Sequence, residues 1–303
     1  MDRSRAPRRC CAGRLHGHRI PEYRAAYVCP TFAGPAEPAP RMSDKRTRHG
    51  IPGFDPATLR SQIHHSRTPA FTMITLRPSA ERGSADLGWL KARYSFSFAQ
   101  YHDPAWMGFS DLRVINQDRI APAGGFDTHG HQNMEIVTYV LEGTLEHKDS
   151  MGTGDVLRPG EVQLMSAGSG VRHSEFNASQ SEPLHLLQMW ILPAQDGTVP
   201  SYQQADFSER LEGRLALCVS PDGAEDSLRI GQDTRMYAGR PRAGQTLELE
   251  LRSGRKAWLH LAKGAIQLNG ITLKTGDGAA IEDESRLVFD ATRDSDLVIF
   301  DLN

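Results

Sequence analysis

Two short segments hold the residue types best suited to chemistry. The first, Gly124-Gly125-Phe126-Asp127-Thr128-His129-Gly130-His131-Gln132-Asn133-Met134-Glu135, contains a His-x-His pair. The second, Gly168-Ser169-Gly170-Val171-Arg172-His173-Ser174-Glu175-Phe176-Asn177, contains a His-x-Glu pair whose His173 lies forty-two residues after His131. In a β-strand, residues i and i+2 share a face, so His129 projects with His131 and His173 with Glu175. If both strands line one barrel interior, three imidazoles and a carboxylate converge on a point, a donor set suited to a divalent first-row metal. The absence of thiolates argues against a closed structural zinc site. Burying these four side chains without a metal would cost several kcal/mol. Glu135, at the start of the following run, is expected to support a ligand from behind or to form pocket wall. Phe126, Met134, Met165 and Met189 offer apolar walls, although core packing accounts for them equally well. His147, His185 and His260 read as solvated or locally hydrogen-bonded histidines.

The elements that must position these groups read as strands. Short runs rich in Val, Ile, Leu and Phe recur between Gly, Asp, Asn and Pro every 8–12 residues. They include Leu112–Ile115, Glu135–Leu141, Val162–Met165, Leu184–Leu192, Leu247–Leu251, Ala257–Leu261, Ala265–Leu268 and Leu297–Leu302. Turn pairs such as Asn269-Gly270 and Asp222-Gly223 separate them, and this pattern predicts an all-β sandwich or barrel. Helical periodicity is confined to a short segment near Asp206–Leu211. A faint internal echo relates Tyr139-Val140-Leu141-Glu142-Gly143-Thr144-Leu145 to Leu259-His260-Leu261-Ala262-Lys263-Gly264-Ala265-Ile266. Each is followed by a Gly-containing turn and a further apolar strand, at Pro159-Gly160-Glu161-Val162 and at Gly276-Asp277-Gly278-Ala279. Two tandem β-barrels joined through Pro193–Pro200 explain the echo.

Composition separates the first quarter of the chain from the rest. Residues 1–72 carry 13 Lys and Arg against five Asp and Glu, a balance of +8, which leaves 22 against 32, or −10, for residues 73–303. The first segment also holds nine of the 18 prolines and shows no apolar periodicity. It reads as a disordered basic tail, an Arg-rich targeting sequence or untranslated upstream sequence before a start at Met73. His16 and His18, an isolated His-x-His within it, read as solvated. Cys10, Cys11 and Cys29 lie in this segment without Cys-x-x-Cys spacing. Residues 73–303 retain only Cys218, in an apolar run, so no disulfide forms within them and a reducing, cytoplasmic compartment fits. No stretch approaches the roughly 18 apolar residues of a membrane-spanning helix. The negative body disfavours direct nucleic-acid binding.

From Met73 to Asn303 the chain resembles the cupin superfamily, and more narrowly the pirins and their bacterial quercetin 2,3-dioxygenase group. The resemblance rests on Phe96-Ser97-Phe98-Ala99, Leu112-Arg113-Val114-Ile115-Asn116, His129-Gly130-His131 with Glu135-Ile136-Val137-Thr138-Tyr139-Val140-Leu141-Glu142-Gly143, Glu146-His147-Lys148-Asp149-Ser150-Met151-Gly152, Met165-Ser166-Ala167-Gly168 and His173-Ser174-Glu175. Gly130 stands where pirins usually carry proline. The resemblance implies a bicupin of two jelly-roll β-barrels. The first, 73–195, binds metal, and the second, 196–303, has no His-x-His or His-x-Glu pair and is metal-free. It further implies one divalent metal, Fe(II) first and Mn, Ni, Cu, Co or Zn otherwise, held by His129, His131, His173 and Glu175. The implied reaction opens a flavonol heterocycle with O2 and releases carbon monoxide and a depside, with Glu175 as general base. A metal- and redox-dependent regulatory protein with a protein partner, and another small-molecule cupin enzyme, remain alternatives with the same ligands.

Overall fold

A computed structural model of the chain describes residues 73–303. The readings made for residues 1–72, including His16, His18 and the three cysteines there, lie outside the described residues. Among the described residues, twenty strands and one short α-helix follow in order, with single 3-10 turns at Ser79–Glu81 and Ala224–Asp226. They begin with β1 (Met73–Arg77), β2 (Gly83–Asp86), β3 (Leu90–Tyr94), β4 (Leu112–Ile120), β5 (Gly125–His131), β6 (Glu135–Glu142), β7 (Leu145–Asp149), β8 (Gly154–Leu157), β9 (Glu161–Ser166), β10 (Val171–Asn177) and β11 (Leu184–Ile191). After β12 (Ser201–Asp206) come α1 (Ser208–Leu211), β13 (Leu215–Ser220), β14 (Leu228–Arg229), β15 (Arg235–Gly239) and β16 (Thr246–Glu250). The chain ends with β17 (Lys256–Leu268), β18 (Ile271–Lys274), β19 (Gly278–Glu282) and β20 (Arg286–Leu302). Among the described residues, no helix is long and apolar enough to cross a membrane.

The strands form two β-barrels. The first sets a seven-stranded sheet, ordered β12-β9-β6-β11-β4-β3-β2, against a four-stranded sheet, β5-β10-β7-β8. The second is a nine-stranded sheet whose main path runs β1-β19-β17-β20-β15-β13-β14, with β16 on β20 and β18 on β17. The sequence echo marks equivalent places, since β6 pairs antiparallel with β9 and β17 with β19. Ala257–Leu261 and Ala265–Leu268, read as separate runs, belong to the single strand β17, which is interrupted only by register shifts against β20. Asn269 and Gly270 close the β17–β18 hairpin with φ of 46° and 84°, both left-handed, as a tight two-residue turn requires. The barrels also exchange strands. β1 pairs with β19 of the second barrel, and β12, beyond the strand-free stretch 192–200, pairs with β9 of the first.

Burial on both faces explains why β6 and β11 read as almost unbroken apolar runs. On β6, Ile136 and Val140 pack inside the first barrel, whereas Val137 and Tyr139 pack with Cys218, Trp258, Val298 and Phe300 of the second. Trp258 anchors this junction against Phe96, with ring centroids 4.6 Å apart, and also meets Trp106 edge-on and Phe109 at a tilt. The Tyr139 hydroxyl donates to Asp296 Oδ1 at 2.9 Å, and Arg240 pairs with the same carboxylate. Cys218 is a buried free thiol, as its apolar run suggested. His185 and His260 are buried rather than solvated, and both contact Gln117 across the sheets, at 3.0 and 3.2 Å.

Candidate metal centre

β5 and β10 lie side by side in the four-stranded sheet, antiparallel, with His173 directly opposite His129 and Val171 opposite His131. Gly125 permits this approach, because a Cβ there would sit 2.4 Å from the Glu175 carbonyl oxygen. A register shift between His173 and Glu175 then sets Glu175 opposite Phe126 and, across the other edge, opposite His147 of β7.

The nitrogens of His129, His131 and His173 lie within 4.8 Å of one another. His129 Nε2 and His173 Nε2 face each other at 3.0 Å. His129 Nδ1 lies 2.8 Å from the Asp127 carbonyl, which can only accept, so Nδ1 carries a proton and Nε2 is the nitrogen turned toward His173. Burial, followed by the neighbouring histidines, pushes the pKa of both His131 and His173 down to about 3. Near neutral pH these are therefore uncharged imidazoles, the form that binds metals. A carboxylate oxygen of Glu175 falls within the same 4.8 Å limit of His173 and His147 nitrogens, so His173 joins the two groups. Glu175 Oε2 accepts from Gln188 Nε2 at 2.7 Å, and Gln188 Oε1 accepts from Trp190 Nε1 at 3.2 Å. The indole N–H thus fixes which end of the amide faces Glu175. Glu175 Oε1 is buried without a partner. Neutral imidazoles aimed at one another beside an orphaned carboxylate oxygen suit a divalent first-row cation.

Beside His131, the Trp190 ring packs edge-on at 5.0 Å and belongs to an apolar cluster with Val114, Met134, Ile136 and Met165. Met189 lies elsewhere, in the junction between barrels, and the Phe126 ring meets His129 edge-on with centroids 6.3 Å apart. Glu135 is no pocket wall. Strand alternation turns it with Val137 and Tyr139 away from the first barrel's interior. Its carboxylate accepts from the Ser166 hydroxyl and from the Gly231 backbone, and burial raises its pKa. His147 also departs from expectation. It is fully buried, its Nε2 reaches only the nearby Asp149 at 3.3 Å, and its ring lies 5.3 Å from His173. The alternation of Leu145, His147 and Asp149 with Glu146 and Lys148 was the signal for an inward-facing histidine. Sequence reasoning also missed Asp118, buried on β4 with Oδ1 unpartnered. Desolvation, and then the charge of Glu175, pushes its pKa up to about 7.

Known proteins match this arrangement along most of the chain. The Pirin family model matches residues 75–191, and the model for the quercetinase C-terminal cupin domain matches residues 217–302. A quercetin 2,3-dioxygenase from Escherichia coli K12 is 46% identical over 230 residues, covering 76% of this chain and 99% of that protein. The chain belongs to the pirin family. A pirin-like protein from Caulobacter vibrioides is 40% identical to this pirin, covering 76% of it and 99% of the relative. Among solved structures, the bacterial pirin YhhW from E. coli in complex with nickel(II) superposes with a TM-score of 0.72 at 46% identity, covering 76% of this chain and 99% of that one.

Proposed function

We propose that this pirin is a metal-dependent dioxygenase resembling quercetin 2,3-dioxygenase, acting on a flavonol and O2 and releasing carbon monoxide. In this reading His129, His131, His173 and Glu175 hold one divalent cation in the first barrel, 73–195. The second barrel, 196–303, holds none, and the protein works in the cytoplasm. The observation that carries the reading is the cluster of three histidine nitrogens beside an unpartnered carboxylate oxygen and an apolar wall. Relatives named for this activity, matched over almost their whole length, support it.

When bound, a divalent cation, Fe(II) first and Mn, Ni, Cu, Co or Zn otherwise, supplies Lewis acidity toward a flavonol hydroxyl and a route for electrons to O2. The protein side chains do the remaining work. Glu175 takes the hydroxyl proton as general base on whichever carboxylate oxygen is not given to the cation, while Gln188 donates to Oε2 and holds the group in place. Met134, Met165 and Trp190 give a flat aromatic substrate an apolar wall and exclude water from the reacting face.

The test is turnover of quercetin in air by the metal-loaded protein, read as loss of its near-visible band together with carbon monoxide release. Both signals are expected, and both are expected to vanish in His131→Ala and Glu175→Gln with unchanged circular dichroism. Turnover that survives complete metal removal contradicts the reading. Absence of turnover, with binding of a partner protein that follows the metal state, replaces it with a regulatory role.

A further inference from the structure

A cleft of about 410 Å³ lies where the outer face of β3 and β4 meets the β18–β19 turn. Alternation puts it on the opposite side of the sheet from Asn116 and Asp118, and hence from the metal centre. Its lining carries four cations, Arg82, Lys91, Arg93 and Arg119, against one carboxylate, Asp86. Lys91 of β3 sits directly opposite Arg119 of β4, and Arg93 sits two residues along, opposite Gln117. Like charges paired across strands are destabilising. Here they gather in the acidic part of the chain, whose formal balance is −10 over residues 73–303. Asp86 approaches Lys91 at 4.0 Å and Glu142 approaches Arg119 at 3.5 Å, all four groups being largely exposed.

The floor of the cleft is less balanced. Arg82 is 4% exposed and donates only to neutral oxygens: Gln117 Oε1 at 3.1 Å, the Gly276 carbonyl at 3.0 Å and the Arg93 carbonyl at 2.7 Å. Its Nε has no partner. Burial, and then the adjacent Arg93, lower its pKa to about 9, and the pull of Asp118 and Asp277 in the other direction does not offset this. A buried guanidinium with no paired carboxylate is an expensive feature in a stable fold unless a counter-charge arrives from outside. Guanidinium groups favour planar or tetrahedral oxyanions, which accept several N–H donors at once. Gln117 and Thr275 add neutral polar groups to the lining.

We propose that this cleft is an anion-binding site for a ligand carrying several anionic oxygens, of the phosphoryl or polycarboxylate class. The ligand bridges Lys91, Arg93 and Arg119 on the first barrel to the β18–β19 turn of the second. Binding to the folded state alone stabilises it by mass action, so the anion raises the melting temperature as its concentration passes the Kd. The proposal is independent of the dioxygenase reading, because the cleft shares no residue with the metal centre.

The experiment is isothermal titration and thermal melting of the full chain with inorganic phosphate, citrate, and sodium chloride at matched ionic strength. Saturable binding of phosphate or of citrate is expected, with a rise in melting temperature that chloride does not reproduce. Whichever of the two binds identifies the oxyanion class. The doubly substituted Lys91→Gln/Arg119→Gln protein, altered only at exposed side chains, is expected to bind roughly tenfold more weakly, with a melting temperature in plain buffer level with or slightly above that of the unaltered protein. Arg93→Gln provides a second variant should the first fold poorly. An equal response to chloride, no saturable binding of either anion, or full affinity in the folded variants overturns the proposal.

Discussion

The two barrels share a strand frame but fill it differently. Across the large sheet of the first barrel, Asn116 stands opposite Gln188, Gln188 opposite Thr138, and Thr138 opposite Gln163, a polar row running from β4 to β9. Gln188 of this row donates to Glu175 at 2.7 Å. Asn116 Oδ1, Thr138 Oγ1 and Gln163 Nε2 are buried without partners. The second barrel holds Leu259, Leu261, Ile266, Leu268, Ile281, Leu287, Phe289, Leu297 and Ile299 instead. One interior is a packed hydrophobic core that contributes stability. The other carries unsatisfied polar groups, a destabilising arrangement that makes sense around a site.

Paired substitutions should break this contrast most visibly. Phe289→Ala is expected to cost about 3–5 kcal/mol of stability, read from denaturant midpoints, with metal stoichiometry unchanged. His173→Ala is expected to do the reverse, with little loss of stability but more than a hundredfold loss of metal affinity and turnover, beyond the roughly 10–100-fold typical of a supporting residue. If both variants lose stability equally and neither loses metal, the division of labour between barrels is wrong.

Acid should expose the junction between the barrels. Burial, reinforced by Arg119 and by Lys263, lowers the His185 pKa to about 4. Between the ordinary value of 6.5 and about 4, the unfolded chain binds more protons than the folded one, so stability falls as pH drops through that window. His185 accounts for about 3 kcal/mol of this loss, and His260, whose pKa burial also lowers, adds in the same direction. His185→Gln should flatten the dependence of the denaturant midpoint on pH between 7 and 4. An unchanged slope assigns the effect to other groups. Within the site, Gln188→Leu removes the donor that holds Glu175 and should lower turnover by about 10–100-fold, with weaker metal binding. Turnover and metal affinity equal to the unaltered protein would deny Gln188 that role. The smallest effect is expected for Thr138→Val, which removes a buried hydroxyl that has no partner at nearly constant shape. Stability should stay level or rise by about 1 kcal/mol. A clear loss would mean that the polar row is structural.

Local pattern made much of this legible. The i, i+2 spacing of His129 with His131 and of His173 with Glu175 reflects the strand pleat, so their shared strands were readable from residue type alone. Asn269-Gly270 and the helix near Asp206–Leu211 were readable for the same reason, since turn and helix preferences are local. The exchange of β1 and β12 between barrels was not, because a strand's partner, some 200 residues away for β1 and about 40 for β12, leaves no trace in its own periodicity. Glu135 and His147 were misjudged through strand parity. Glu135 shares a face with Val137 and Tyr139, toward the second barrel, and His147 shares one with Leu145, toward the interior. Asp118 lay hidden because a single acid in an alternating strand reads as solvent-facing until the second barrel is known to cover the other side.

The central claim is best tested by titrating the metal-stripped full chain with nickel(II) or Fe(II) under inert gas and recording X-ray absorption at the metal edge. One ion per chain is expected, with histidine nitrogens and a carboxylate oxygen around it, and binding should be lost in His131→Ala. An ion that binds equally well in that variant, or a chain that takes up none, contradicts the account.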